Sequence, residues 1–309
     1  MVQSAAHRRR VLAGIGAVLL VPMWPASVRA QPVIAELQAG GARIELQFAE
    51  GFDAALRQRA TRWVERALVA IVGYFGRFPL TEVELLVQPV AGAGVRHGTA
   101  FGHPAPYVRL RVGTDTTTAQ FDDDWVMVHE FVHLAVPRVP RRQSWLQEGL
   151  ATYVEGIARV RAGQLDAAAM WHGLQRDMPQ GQPQAGDAGL DHTPTWGRTY
   201  WGGALFSLLA DVQIRRRSGV QRGLEHALRG VLAAGGSYAD AWDLPRILAV
   251  GDAAIGQPTL EELYALMKDC PAPIDLAGLW ADLGVVARGP TVELRDDAPL
   301  AAVRRAIAG

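Results

Sequence analysis

Residues 129–133 read His129-Glu130-Phe131-Val132-His133. On a helix, His129 and His133 stand four residues apart, so both imidazoles leave one face and can grip one metal ion. Glu130 sits beside them, within reach of a water on that ion. Zinc hydrolase sites use three protein ligands and one open position, so two histidines need a partner. Trp145-Leu146-Gln147-Glu148-Gly149 begins twelve residues after His133, and Glu148 is the candidate third ligand. Two neutral imidazoles and one carboxylate leave zinc net positive, and the pKa of a bound water falls to roughly 7. Glu130 would take that water's proton during attack on a carbonyl and pass it to the leaving amine. The developing oxyanion needs a second electrophilic partner besides the metal.

Two helices must position these groups. Asp122, Asp123 and Asp124 precede the motif and supply a cap and favourable charge for a helix start. Trp125, Val126, Val128, Phe131, Val132 and Leu134 give that helix an apolar surface to bury, and Pro137 and Pro140 end it. A second helix starts near Ser144. Glu148, Thr152 and Glu155 share one of its faces, and Thr152 and Glu155 are candidates for orienting a metal-bound imidazole. Leu146, Leu150 and Val154 pack inward, and Gly149 admits another segment at close range.

His129-Glu130-x-x-His133 followed by Trp145-Leu-x-Glu148-Gly149-x-Ala-x-Tyr153 resembles the gluzincin zinc metallopeptidases of the thermolysin-like clan. The match is nearest to the peptidase MA-like and glycyl-aminopeptidase-like branches. The resemblance implies Glu148 as the third zinc ligand. It also implies an oxyanion-stabilising tyrosine in a Tyr-x-x-Gly segment, which Tyr200-Trp201-Gly202-Gly203 matches. It covers residues 122 to about 235 and weakens outside them. Two departures stand out. The gap from His133 to Glu148 is shorter than in thermolysin or the large aminopeptidases, so the linking loop is trimmed. The large aminopeptidases also carry a Gly-x-Met-Glu-Asn strand that holds a free amine. The nearest segment here, Gly98-Thr99-Ala100-Phe101-Gly102, has no carboxylate. It can serve as an edge strand for an extended peptide, but aminopeptidase action is unsupported.

Asp191 to Arg198 leads into Tyr200, which places His192 as a candidate substrate or oxyanion contact; its bland reading is a loop histidine bonded to backbone. Gln175 to Pro194 is rich in Gly, Pro, Gln and Asp and reads as a long loop placed to gate access.

The chain opens on an export signal. His7-Arg8-Arg9-Arg10 is basic, Val11 to Trp24 is uncharged and mainly apolar, and Val28-Arg29-Ala30 fits a cleavage site after Ala30. The apolar run is short for a membrane span and contains Pro22. An uncleaved N-terminal anchor is the alternative, and the arginines leave Sec and twin-arginine export both open. Residues 1–30 hold four arginines and no acids, so the remainder carries 27 basic and 31 acidic residues. Nucleic-acid binding is disfavoured by that balance. Cys270 is the single cysteine, which excludes an internal disulfide and a cysteine-based metal cluster. An exported chain of this kind suits a bacterial periplasm or secretion, with no stable membrane insertion once the signal is cut.

Ala42 to Phe48, Thr81 to Val90 and Tyr107 to Val112 read as strands, and Phe52 to about Phe75 as a helix. Tyr200 to Arg215, Gly219 to Ala233, Tyr238 to Val250 and Thr259 to Met267 read as further helices. The expected architecture is α+β and zincin-like. A small, mostly antiparallel N-terminal sheet lobe (residues 31–121) meets a mainly helical catalytic lobe (122–309), with the metal cleft between them. The expected activity is zinc-dependent hydrolysis of a peptide or protein substrate. The competing reading is a catalytically silent exported zinc- or peptide-binding module on a peptidase-like fold.

Overall fold

A computed structural model describes residues 33–309. The expected export signal at residues 1–30 and its expected cleavage site after Ala30 lie outside the described residues. The chain runs β1 (Val33–Ala39), β2 (Ala42–Phe48), α1 (Ala54–Phe75), β3 (Glu82–Val90), β4 (Val95–Phe101) and β5 (Tyr107–Gly113). Helices follow: α2 (Thr118–Asp123), α3 (Val126–His133), α4 (Ser144–Arg161), α5 (Ala167–Asp177), α6 (Gly203–Arg217), α7 (Leu224–Ala233), α8 (Leu244–Ile255), α9 (Thr259–Met267) and α10 (Leu276–Leu283). A hairpin of β6 (Val285–Arg288) and β7 (Thr291–Leu294) precedes the last helix, α11 (Ala301–Ala308). Among the described residues no helix is long and apolar enough to cross a membrane.

The fold is α+β, as the sequence implies, with one correction to the sheet. Its five strands lie in the order β1-β2-β3-β5-β4, and it is mixed rather than mostly antiparallel. β1–β2 and β4–β5 are antiparallel, whereas β2–β3 and β3–β5 are parallel. The reason is α1. Parallel neighbours need a long crossover, and the 22-residue helix between β2 and β3 is that crossover. Alternation alone does not reveal direction.

Strand β2 alternates buried and half-exposed residues. Ile44 and Leu46 belong to the same buried cluster as Trp63, Val64, Leu68 and Ile71 of α1. Asp53 caps α1 by accepting from Leu56 N at 2.6 Å, and Gly76 ends it in the left-handed region, φ 79°.

The short helix α3 is buried over almost its whole length. Phe131 sits edge-on to Phe78, ring centroids 5.3 Å apart; truncating so enclosed a ring would cost roughly 3–5 kcal/mol. Of the three aspartates before α3, Asp124 does the capping. Its Oδ2 accepts from Met127 N at 3.1 Å and from Trp63 Nε1 at 2.9 Å, which ties α3 to α1. Asp122 instead pairs with Arg66. Helix α4 begins at Ser144, as its sequence implies.

Candidate metal centre

Helix α3 holds its three polar residues in an apolar setting: His129, Glu130 and His133 are 5%, 7% and 7% exposed. Glu148, one turn into α4, faces them. One of its oxygens, Oε2, lies 3.4 Å from His129 Nε2 and 3.5 Å from His133 Nε2. A tetrahedral zinc with ligands at about 2.0–2.1 Å separates neighbouring donors by roughly 3.3–3.4 Å. The donor set and its spacing therefore fit one such ion, and all three ligand atoms lie within 4.8 Å of one another. The imidazole planes stand at 82°, with centroids 4.9 Å apart, so both Nε2 atoms converge on one point.

At Glu148 and His129, though not at His133, electrostatics favours the charge state a cation needs. Burial acts to raise the Glu148 carboxyl, but its contacts with His129 and then His133 outweigh that and hold it well below the usual range. Burial lowers His129. Burial also acts to lower His133, but contact with Glu148 and the charges of Glu148 and Glu130 raise it overall.

Glu130 points across α3 to the sheet edge, where Ala100 N donates to its Oε2 at 2.8 Å. The approach is close because Gly98 lacks a side chain; a Cβ there would lie 2.5 Å from Glu130 Cγ. The segment expected to form an edge strand does so as part of β4, and it also clamps Glu130. Burial, first of all, raises the Glu130 carboxyl.

Tyr200 lies on a π-helical turn, Arg198–Gly202, that opens into α6, where the sequence reads as regular helix from its first residue. Such turns frequently mark functional positions. The ring stacks 6.4 Å from that of His129. Burial, then the charge and contact of Glu148, push its hydroxyl up to about 12, so it stays a hydrogen-bond donor at neutral pH.

The other candidates divide. Thr152 lines a chamber beside the centre, with its hydroxyl donating to Glu148 O at 2.7 Å. Glu155 lines the same chamber. It stands 3.6 Å from Arg159, and burial pushes its carboxyl up to about 7. His129 Nδ1 and Glu155 Oε2 are both buried without a hydrogen-bond partner, so the two are not bonded to each other. His192 stays outside the cleft, exposed and 3.0 Å from Asp269.

The segment that reads as a gating loop is braced. Helix α5 extends into it as far as Asp177, and a 3-10 turn continues from Met178 to Gly181. Asp187 pairs with Arg198 at 2.8 Å, both side chains almost fully buried. Asp191 accepts from Gln143 Nε2, Trp145 Nε1 and Tyr264 Oη at 2.9, 2.8 and 2.8 Å.

Sequence reasoning missed two cleft residues. Tyr238 reads as the start of a helix, yet α8 begins at Leu244 and Tyr238 lies on the loop before it. It lines the 440 Å3 cleft together with Glu130, His133 and Glu148, its ring 6.3 Å from that of His133. Burial, then Glu148 and Glu130, raise its hydroxyl. The pair Gly235-Gly236 just before it was the available signal for a loop. Trp125, expected to be buried, is 51% exposed at the cleft mouth.

The fold has known counterparts. An aminopeptidase N family protein from Idiomarina loihiensis superposes with TM-score 0.59 at 15% identity, over 82% of this chain and 49% of its own. An M1 zinc metallopeptidase variant from Deinococcus radiodurans gives TM-score 0.50 at 15% identity, over 78% of this chain and 52% of its own. The chain thus has the fold of M1-type zinc metallopeptidases and spans about half the length of these two structures. No family model matches the sequence, and no curated protein matches it either.

Proposed function

We propose that this protein is an exported zinc-dependent metallopeptidase that hydrolyses peptide bonds with help from Glu130. The observation that carries the reading is the spacing of Glu148 from His129 and His133, which matches two edges of a zinc tetrahedron, with Glu130 adjoining it. In this reading the three residues hold one zinc ion. Bound there, zinc supplies a Lewis acid that acidifies a water and polarises a carbonyl.

The chain's own residues do the rest. Glu130, kept in place by Ala100 N–H, accepts a proton from the attacking water and delivers it to the departing amine. Tyr200 donates its hydroxyl proton as a hydrogen bond to the developing oxyanion. Strand β4 lies along the cleft and orients an extended peptide through its open edge. Residues 31–121 and 122–309 act as one catalytic unit, and the basic and apolar start of the chain directs export.

Metal analysis of purified protein should give one zinc per chain. Peptide hydrolysis should vanish with chelator and in Glu130→Gln, with zinc retained in the variant. Equal activity of Glu130→Gln and wild type would remove the mechanism. Zinc without turnover on broad peptide libraries would leave the competing reading, a silent peptide-binding module, for which the lack of a carboxylate on β4 is the motive.

A further inference from the structure

Strand β4 is irregular where it meets the cleft. Val95 pairs with Val112 of β5, and His97 pairs with the adjacent Arg111, so Arg96 is an extra residue without a partner on β5. Successive residues of a regular strand point to opposite faces. Here Arg96 and His97 are both exposed, and both line the cleft that holds Glu130, His133 and Glu148. A bulge of this kind re-aims a side chain beside a site. The turn before it is firmly built. Asp115 N donates to Gly92 O, and Gly94 N donates to Thr116 Oγ1, each at 2.9 Å. The guanidinium rests against that turn, since a Cβ on Gly92 would fall 3.0 Å from Arg96 Nη2.

The charge of Arg96 is unspent. It has no carboxylate partner among the described residues, whereas Arg43 of β2 faces Glu36, Glu45 and Glu82. The two acids of the cleft are engaged: Glu130 accepts from Ala100 N, and Glu148 faces both imidazoles. Positive charge continues on the neighbouring strand. His97 stands opposite Arg111 and Thr99 opposite Arg109, so these two arginines share one face of β5. Neither pairs with a carboxylate among the described residues, and Arg109 lies over the ring of Phe101 at 5.2 Å. Strands β4 and β5 contain no acid. Like charges gathered without a counter-charge repel, and an incoming anion relieves that repulsion. The chain beyond residue 30 holds 27 basic and 31 acidic residues, so the cluster is local and suits a peptide carboxylate better than a nucleic acid.

We propose that Arg96 sets the substrate class of the cleft by binding a carboxylate on the bound peptide, roughly two to four residues from the bond that breaks. The inference rests on the peptidase reading and deepens it. Arg96 lies four residues along β4 from Ala100, whose N–H holds Glu130, which is about 13 Å of strand. An extended peptide beside β4 has the same rise, so the anion and the reacting carbonyl are separated by that span less the reach of the arginine. A guanidinium grips a carboxylate through two parallel hydrogen bonds, and a lysine at the same peptide position is repelled. The carboxylate belongs either to an Asp or Glu side chain or to the peptide's own C-terminus.

Holoenzyme, Arg96→Gln and Arg96→Glu are compared on acetylated, amidated peptides in which one residue, walked along the chain, is Glu, Gln or Lys. Arg96 is exposed, so both variants should keep wild-type zinc content and Tm. Wild type should favour Glu over Gln at one position by about three- to tenfold in kcat/KM, the scale of an exposed but bidentate ion pair. The gain should shrink as salt rises. Arg96→Gln should erase it while the Gln peptides stay within about twofold, and Arg96→Glu should turn the preference towards Lys. Peptides ending at that position as free acid or as amide separate the two sources. A gain from Glu in capped peptides assigns the side chain, and a gain in the free acid alone assigns the chain end. No gain from either carboxylate in wild type, a gain that survives Arg96→Gln, or equal loss on all peptides overturns the inference and leaves the peptidase reading standing. If wild type cleaves nothing, the peptidase reading falls, and anion binding is judged by calorimetry of the zinc-loaded protein. The ligands are acetyl-Ala-Glu-Ala-Glu-Ala as free acid and acetyl-Ala-Gln-Ala-Gln-Ala amide. Tighter binding of the first, abolished by Arg96→Gln, supports the role of Arg96; equal binding overturns it.

Discussion

Gly149 and Gly203 are in backbone contact. A Cβ on Gly149 would fall 2.1 Å from the Gly203 carbonyl carbon, and one on Gly203 would fall 1.9 Å from Trp145 O. Helices α4 and α6 therefore cross with no side chain between them. Glu148 adjoins the first glycine and Tyr200 precedes the second by one turn, so the crossing sets how far the carboxylate lies from the phenol.

Gly149→Ala and Gly203→Ala should each push the helices apart. Overpacking of this kind costs roughly 1–3 kcal/mol, read as a lower urea midpoint. In variants that still fold, kcat should drop more than tenfold while zinc stays bound, because Tyr200 recedes. Unchanged kcat would show that the crossing does not govern the site.

Zinc should stabilise the protein by mass action. At a free concentration of 100 times Kd the gain is about 2.7 kcal/mol, measured as a rise in Tm of chelated protein on adding zinc. Glu148→Ala and His133→Ala should remove most of that rise. A full rise in both variants would place the ion elsewhere.

Tyr200→Phe should lower kcat by about 10²–10³, the usual effect of losing one oxyanion donor, at constant zinc content. Tyr238 faces the centre from the His133 side, and Tyr238→Phe should cost about tenfold in kcat/KM, the scale of one modest hydrogen bond. Wild-type kinetics in both variants would reduce the two phenols to wall residues.

Glu155 makes stability fall as pH rises. Its folded pKa, about 7, is above its ordinary 4.5, so folding favours the protonated form. The associated stability is complete below pH 4.5 and is lost as pH climbs through 7. The span corresponds to at most about 3 kcal/mol. Glu155→Gln should flatten the Tm curve between pH 5 and 8; a curve identical to wild type would mean that Glu155 ionises freely in the folded protein.

Asp187→Ala leaves the Arg198 guanidinium buried without its carboxylate. Breaking a buried pair from one side costs about 3–5 kcal/mol, and the turn holding Tyr200 should loosen with it. Denaturant titration together with kcat reads both effects.

The grouping of His129, His133 and Glu148 was legible in the sequence because each part announces itself over a few residues. The four-residue histidine spacing makes one helical face whatever the rest does, and α4 begins at Ser144 after the prolines break the chain. What stayed hidden depends on distant partners. The direction of β3 against β2 comes from where α1 carries the chain. The segment from Gln175 to Pro194 reads as a gating loop until Asp187 meets Arg198 and Asp191 meets Gln143, Trp145 and Tyr264. Tyr238 enters the cleft from a hundred residues downstream, held because Tyr238 N donates to Leu134 O at 3.1 Å and Arg138 Nε donates to Tyr238 O at 3.1 Å. No local pattern around residue 238 encodes that.

The ten residues between His133 and Ser144 have a further consequence. Arg138 exchanges backbone hydrogen bonds with Asp240 and Trp242 at 2.9 and 3.1 Å, and Gln143 and Trp145 are fastened to Asp191. The link between the second imidazole and the carboxylate is thus clamped by chain synthesised much later. A nascent or truncated polypeptide stopping short of residue 242 would own every coordinating group and still lack the scaffold that gathers them. Assembly of the candidate metal site therefore waits on residues 240–242, a hundred positions beyond its last histidine.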